Sequence, residues 1–206
     1  DFLSARPAPV IQEQEDHPLP SSSVPGIDWP ALPTAAGATM LAMHWQLERS
    51  QWLRPDRLLE LQFRQLRALV EHARRHVPHY RKAISGGALP TRDALTPDTL
   101  GRWPVLRKAE LLAADRQLRA STWPREHGGL IESATTGSTG QPVRLAFTEA
   151  AQFVTHALVL RHHLWHRSEF GGRLAVINPH LEDGVAPDWG RITNAAFATG
   201  PCATLN

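Results

Sequence analysis

The spacing of apolar residues changes near Leu130, and that change limits the possible folds more than any other feature of the 206-residue chain. Between Pro55 and Pro78, Leu59, Phe63, Leu66, Val70, Ala73 and Val77 recur at alternating steps of four and three, which places them on one stripe of a helix. Arg74, Arg75 and His76 suit the negative end of its dipole, and Pro78 stops it. Gly86 and Gly87 mark a loop, Thr96 with Pro97 predicts a cap and first turn, and a further short helix is expected from about Arg107 to Ala114. Past the change, Leu130 to Ser133 and Val143 to Phe147 predict two strands flanking a loop. Thr148 then caps a helix whose inward stripe is Ala150, Phe153, Ala157, Leu160 and Leu164, with Gly171-Gly172 expected to end it. The unbroken apolarity of Leu174 to Ile177 predicts a parallel strand covered on both faces. The expected fold class is therefore α/β: a helical first half, then a hairpin and a parallel strand.

Composition removes several alternatives. An apolar fraction of 42% and a charged fraction of 20% fit a globular chain with a core. Ala35 to Met43, the longest apolar run, is too short to span a membrane and is interrupted by Gly37 and Thr39. Twenty-two basic residues against 20 acidic ones give a net charge of only +2, and the bases are scattered, so no nucleic-acid partner is expected. The face of the 55–77 helix that carries Arg57, Glu60, Arg64, Arg67, Glu71 and Arg74 reads as a mixed, solvated surface. A single cysteine, Cys202, excludes an intrachain disulfide and fits a cytoplasmic location. Seven prolines between Arg6 and Pro33 make that stretch extended or disordered, so residues 1–40 are expected to be a leader and 41–206 the folded part.

Two groups of residues could carry chemistry. His156, His162, His163 and His166 fall on one predicted helix, and His162 and His166, four apart, share a face. No His-Glu-Xaa-Xaa-His pattern accompanies them and no third ligand is evident beyond Glu169, so a solvated or substrate-flanking helix face is favoured over a metal site and no metal ligand is assigned. The sharper signal is Thr135-Thr136-Gly137-Ser138-Thr139-Gly140-Gln141-Pro142. Its glycines permit tight backbone paths, and its amides and hydroxyls offer donors without negative charge, which suits a phosphate. It lacks the Lys-Ser/Thr ending of a Walker loop and leads into a strand instead of a helix. A small polar hairpin tip with no ligand would have the same composition.

That loop, running on from Val143 to Thr148, resembles the nucleotide-phosphate loop of adenylate-forming enzymes, particularly the phenylacetate–coenzyme A ligase and CapK-like branch, whose members read Ser-Ser-Gly-Thr-Thr-Gly-Lys-Pro or close variants. Leu-Val-Glu-His-Ala-Arg-Arg-His-Val-Pro-His-Tyr-Arg from Leu69 is similar to the helix and turn that begin those enzymes, and Trp103-Pro104-Val105-Leu106-Arg107-Lys108-Ala109-Glu110-Leu111 resembles their next landmark. The three landmarks stand in the family's order and cover about Leu58 to Thr148.

The resemblance implies the N-terminal part of an AMP-binding large domain and an ATP-dependent acid–thiol ligase. A small carboxylic acid would be activated as an acyl-adenylate and passed to a thiol, with coenzyme A the expected acceptor. It assigns nucleotide binding to Thr135, Thr136, Gly137, Ser138, Thr139, Gly140 and Gln141, with Thr136, Ser138 and Thr139 on the β- and γ-phosphates. No catalytic residue is assigned. Gln141 stands where the family commonly has lysine, with Arg144 a possible substitute cation. The family's adenine segment, its Mg2+-binding glutamate, its ribose aspartate and its adenylation lysine are not recognisable before Asn206. The missing C-terminal half is thus an expected partner, and the chain alone is expected to be inactive. The alternative is a non-catalytic binding protein retaining half of such a domain.

Overall fold

The computed structural model describes residues 18–135, 141–177 and 182–206. In chain order the elements are α1 (Ala35–Ser50), α2 (Pro55–His76), α3 (Pro78–Ser85), α4 (Pro97–Gly101), α5 (Lys108–Ala113), β1 (Leu130–Ala134), β2 (Arg144–Thr148), α6 (Glu149–Trp165), β3 (Leu174–Ile177), β4 (Gly184–Ala186), α7 (Arg191–Asn194) and β5 (Cys202–Leu205). Mixed helix and sheet, as the change of period requires, are divided between two compact units. One is Leu47–Thr155; the other comprises the described parts of 1–46 and 156–206.

In the Leu47–Thr155 unit, α2 supplies Phe63 and Val70 to a buried cluster completed by Ile84, Leu89 and Leu95, with Leu66, Tyr80, Ala83, Leu100 and Trp103 packed around it. The predicted stripe is therefore real, although it fades toward the start of the helix, where Leu59 is exposed. Val77 ends α2 in an extended conformation, and Pro78 at once opens α3, because a proline that cannot continue a helix is well suited to its first turn. The Thr96 cap is present as a reciprocal pair: the Thr99 amide donates to Thr96 Oγ1 at 3.2 Å and the Thr96 amide donates to Thr99 Oγ1 at 2.8 Å. Arg67 reaches from α2 to donate to the Leu95 carbonyl at 3.2 Å. Glu71 receives both Arg74 (2.8 Å) and Arg75 (2.6 Å), so the charged face of α2 is laced by its own ion pairs.

The other unit buries Met40 of α1, Ala157, Leu160 and Leu164 of α6, and Phe170, Ala196, Phe197 and Cys202. Residue 40, expected to close an unfolded leader, lies inside α1. Gly37, one turn earlier, is also buried, because a Cβ there would stand 2.0 Å from the Ala195 carbonyl oxygen. Residues 18–34 have no helix or strand but are tied in, with the Ser21 amide donating to Ala196 O at 3.0 Å and that of Ser23 to Leu32 O at 2.8 Å.

Three expectations are corrected. First, α6 ends at Trp165, ahead of Gly171-Gly172. The Arg167 amide bonds Leu164 O (3.1 Å) and the Ser168 amide bonds His163 O (2.9 Å), a Schellman closure with Arg167 at φ 50° in the position usually taken by glycine. Second, β2 begins one residue late, at Arg144, because the Val143 amide is already used by a side chain. Third, β3 pairs parallel with β5 in a sheet of order β3-β5-β4, but it is not covered on both faces. Leu174 and Val176 are half-buried whereas Ile177 is 79% exposed, since the described residues supply no layer over that side.

Leu95 is fully buried at the centre of its cluster. Leu95→Ala should lower the unfolding free energy by about 2–5 kcal/mol in urea titration, whereas Trp52→Ala, at an 82% exposed position, should change it by less than about 0.5 kcal/mol.

Candidate functional site

β1 and β2 form an antiparallel hairpin in which Leu130 faces Thr148, Glu132 faces Ala146 and Ala134 faces Arg144. One face carries the half-buried Ile131 and Phe147, which pair directly. At the open end the ladder finishes in a two-part clasp: the Thr135 amide donates to Val143 O at 2.9 Å, and the Val143 amide donates to Thr135 Oγ1 at 3.0 Å. The strand–loop–strand reading is thus met up to the base of the loop. Thr136, Gly137, Ser138, Thr139 and Gly140 lie outside the described residues.

Two of the seven assigned residues are therefore placed. Thr135 is a hairpin-closing residue whose hydroxyl oxygen accepts the Val143 amide, just ahead of the opposite strand. Gln141 is exposed at the far foot of the loop, and Arg144, three residues on, is also exposed. The hairpin is held from outside by Arg119, which meets Glu132 of β1 at 3.2 Å and Asp115 at 3.4 Å. At its other end the Glu149 amide donates to Gly129 O at 3.0 Å, and Thr148 Oγ1 accepts the Ala151 amide at 3.3 Å as the expected cap of α6.

The histidines of α6 are sorted by the helix rather than gathered. His156 and His163 are partly buried, and burial pushes both below the ordinary imidazole range; for His163 the neighbouring His162 and His166 add to the effect. His163 Nδ1 lies 3.2 Å from Ser168 Oγ, and its ring packs against Trp189 and Phe170. His162 and His166 are exposed and meet each other. Among the described residues, no group of three or more His, Cys, Asp or Glu side chains converges on a metal position.

Sequence reasoning did not anticipate a hollow of about 440 Å³ in the Leu47–Thr155 unit, lined by Glu71, Arg74, Ile84, Ser85, Thr91, Arg92 and Asp93. It forms where α2 and α3 meet the 3-10 turn at Arg92–Ala94, and no motif marks it because its lining comes from three separate stretches of chain. Its Glu71 carboxyl is held down at about 2, first by the hydrogen bond from Arg74 and further by Arg75. Among the described residues, no helix is long and apolar enough to cross a membrane.

Thr135→Val removes the clasp's side-chain acceptor and should cost about 0.5–1.5 kcal/mol in urea unfolding, while Thr135→Ser should retain most of it. A carboxyl whose pKa falls from 4.5 to about 2 on folding adds stability above 4.5 and loses it as the pH drops through that window. The acid-induced drop in urea midpoint between pH 5 and pH 2 should accordingly be smaller in Glu71→Gln than in the wild type.

No family model matches the chain. Over 93 residues it is 31% identical to a protein described as phenylacetate-coenzyme A ligase from Aromatoleum evansii, a stretch that covers 45% of this chain and about a fifth (21%) of that protein. The likeness is to a coenzyme A ligase, and it is partial and distant.

Proposed function

We propose that the chain is the N-terminal portion of an adenylate-forming acid–thiol ligase and that its hairpin loop holds the phosphates of ATP. The observation that carries this reading is the 93-residue likeness to phenylacetate-coenzyme A ligase. The order of the three sequence landmarks agrees with it, and so does the hairpin that closes on Thr135 and Val143. In the proposed reaction a carboxylate attacks the α-phosphorus of ATP and pyrophosphate leaves; a thiol such as that of coenzyme A, losing its proton, then takes the acyl group from the adenylate and AMP leaves.

The chain's own part is electrostatic. Charge grows on the departing pyrophosphate, and amides and hydroxyls fixed around that position lower the barrier by stabilising it where it forms. Thr136, Ser138 and Thr139 would donate to the β- and γ-phosphates, while Gly137 and Gly140 would let the backbone approach. Mg2+ would screen the same charge, but Thr135 and Gln141, the assigned residues that are placed, are neutral and suit a phosphate rather than the ion. By the resemblance to such ligases, the carboxylate ligand for Mg2+ would come from a downstream segment. Gln141 gives a neutral donor where the family commonly has a cation, and the exposed Arg144 is the nearest base along the chain.

The test is acid-dependent ATP–pyrophosphate exchange in a polypeptide that joins this segment to the adenine, ribose and lysine segments of such a ligase. Gly137→Val should impair exchange more than Thr139→Ala, because it redirects several amides rather than removing one hydroxyl. Thr139→Ala should cost about 1.5–3 kcal/mol of nucleotide interaction. Gln141→Lys should lower the KM for ATP, with acid preference unchanged. If all three leave ATP kinetics unaltered while stability falls, the loop is a hairpin tip and nothing more.

A further inference from the structure

We propose that His162 and His166 form a two-nitrogen chelate for a divalent transition-metal ion of square or tetragonal preference, Cu(II) or Ni(II), with water completing the coordination. The proposal is independent of the ligase reading. His162 lies in the last turn of α6 and His166 directly follows it, and the His166 amide still bonds the His162 carbonyl at 3.1 Å, so the helical turn that presents them is intact. Their rings meet edge to face with centroids 4.4 Å apart, and the two Nε2 atoms are 2.8 Å from each other. Both side chains are exposed, so an ion reaches them without any opening of the fold.

A chelate that keeps the present Nε2–Nε2 separation suits one class of metal. With metal–nitrogen bonds of about 2.0–2.1 Å, nitrogens 2.8 Å apart subtend an angle of about 86° at the ion. That is close to the 90° of adjacent positions in a tetragonal site and well short of the angle of a tetrahedral zinc site. At present one Nε2–H donates to the other Nε2. To bind, the donor ring moves its proton to Nδ1, both exposed rings turn so that the Nε2 lone pairs leave their mutual contact and face the ion, and two metal-bound waters leave; no proton is lost overall from a neutral pair and no electron moves.

The surroundings narrow the choice further. Arg161 and Arg167 flank the pair in sequence, and the Arg161 guanidinium lies 4.2 Å over the Trp165 ring between the two histidines. Hard cations such as Mg2+ and Ca2+ rely on several carboxylates, and among the described residues no group of three or more His, Cys, Asp or Glu gathers there, whereas imidazole affinity favours Cu(II) and Ni(II). The chain contains an internal control. His72 and His76 on α2 have the same spacing and a centroid distance of 4.7 Å, but His72 is partly buried and shares no nitrogen contact with His76.

NiCl2 titrated by calorimetry into the untagged chain should reveal one strongest site. His162→Gln and His166→Gln should each weaken it about tenfold or more, and the double variant should be little worse than either, because a chelate is lost with its first arm. His76→Gln should leave it unchanged. Ni(II) should raise the melting temperature of the wild type and not of the two α6 variants, whose folding is checked by circular dichroism. Wild-type nickel affinity in His162→Gln, an equal loss in His76→Gln, or tighter binding of Zn(II) than of Ni(II) would each overturn the proposal.

Discussion

The packing of α2 on the segments that follow it is the interaction on which the Leu47–Thr155 unit depends. Phe63 and Val70 lie two turns apart on one stripe, and Ile84, Leu89 and Leu95, brought in by α3 and the turns after it, close over them. Each of these elements is too short to be stable alone, since isolated helices of fewer than about 12 residues are marginal in water. α3 has eight residues and α4 five. They persist because burial against the 22-residue α2 offsets their ordering entropy. Arg67, donating from α2 to the Leu95 carbonyl, fixes the turn that carries the most buried member of the cluster.

Where periodicity and local chemistry agreed, the fold was legible. The alternation from Leu59 to Val77, the Thr96–Pro97 cap and the paired strands around the glycine-rich loop are each specified by neighbours in sequence. What was not legible is set by partners far along the chain. Nothing local tells Gly37 that the Ala195 carbonyl will press against it, and so α1 was read only as an apolar run too short to span a membrane. Arg167 adopts a glycine-like conformation because the hydrogen bonds of the Schellman turn outweigh a steric cost of about 1–2 kcal/mol. The bare side of β3 has the same origin: apolar composition reports that a strand wants cover on both faces, but not which residues provide it.

For the candidate site, the sequence supplied more than the described residues do. The loop's residue types argue for phosphate; the structure adds the frame on which it is mounted. Histidine spacing, in contrast, underdetermined the outcome. His72–His76 and His162–His166 have identical spacing, yet it is the second pair that brings ring nitrogens to 2.8 Å; the first pair is partly buried and the second is exposed.

The hairpin clasp bears on what such a loop can do chemically. Donors aimed at a developing charge lower a barrier only when they are held in place before the charge appears; otherwise part of their interaction is spent on ordering the loop. A glycine-rich stretch has little stiffness of its own. Residues that flank such a stretch can fix where it starts and ends, and here Thr135 and Val143 meet through one pair of hydrogen bonds. The Arg119 bridge to Glu132 and Asp115 then ties β1 to the chain before it. This accounts for a threonine at the base of the loop rather than another glycine: its oxygen closes the ladder one step beyond the last strand pair, Ala134 and Arg144.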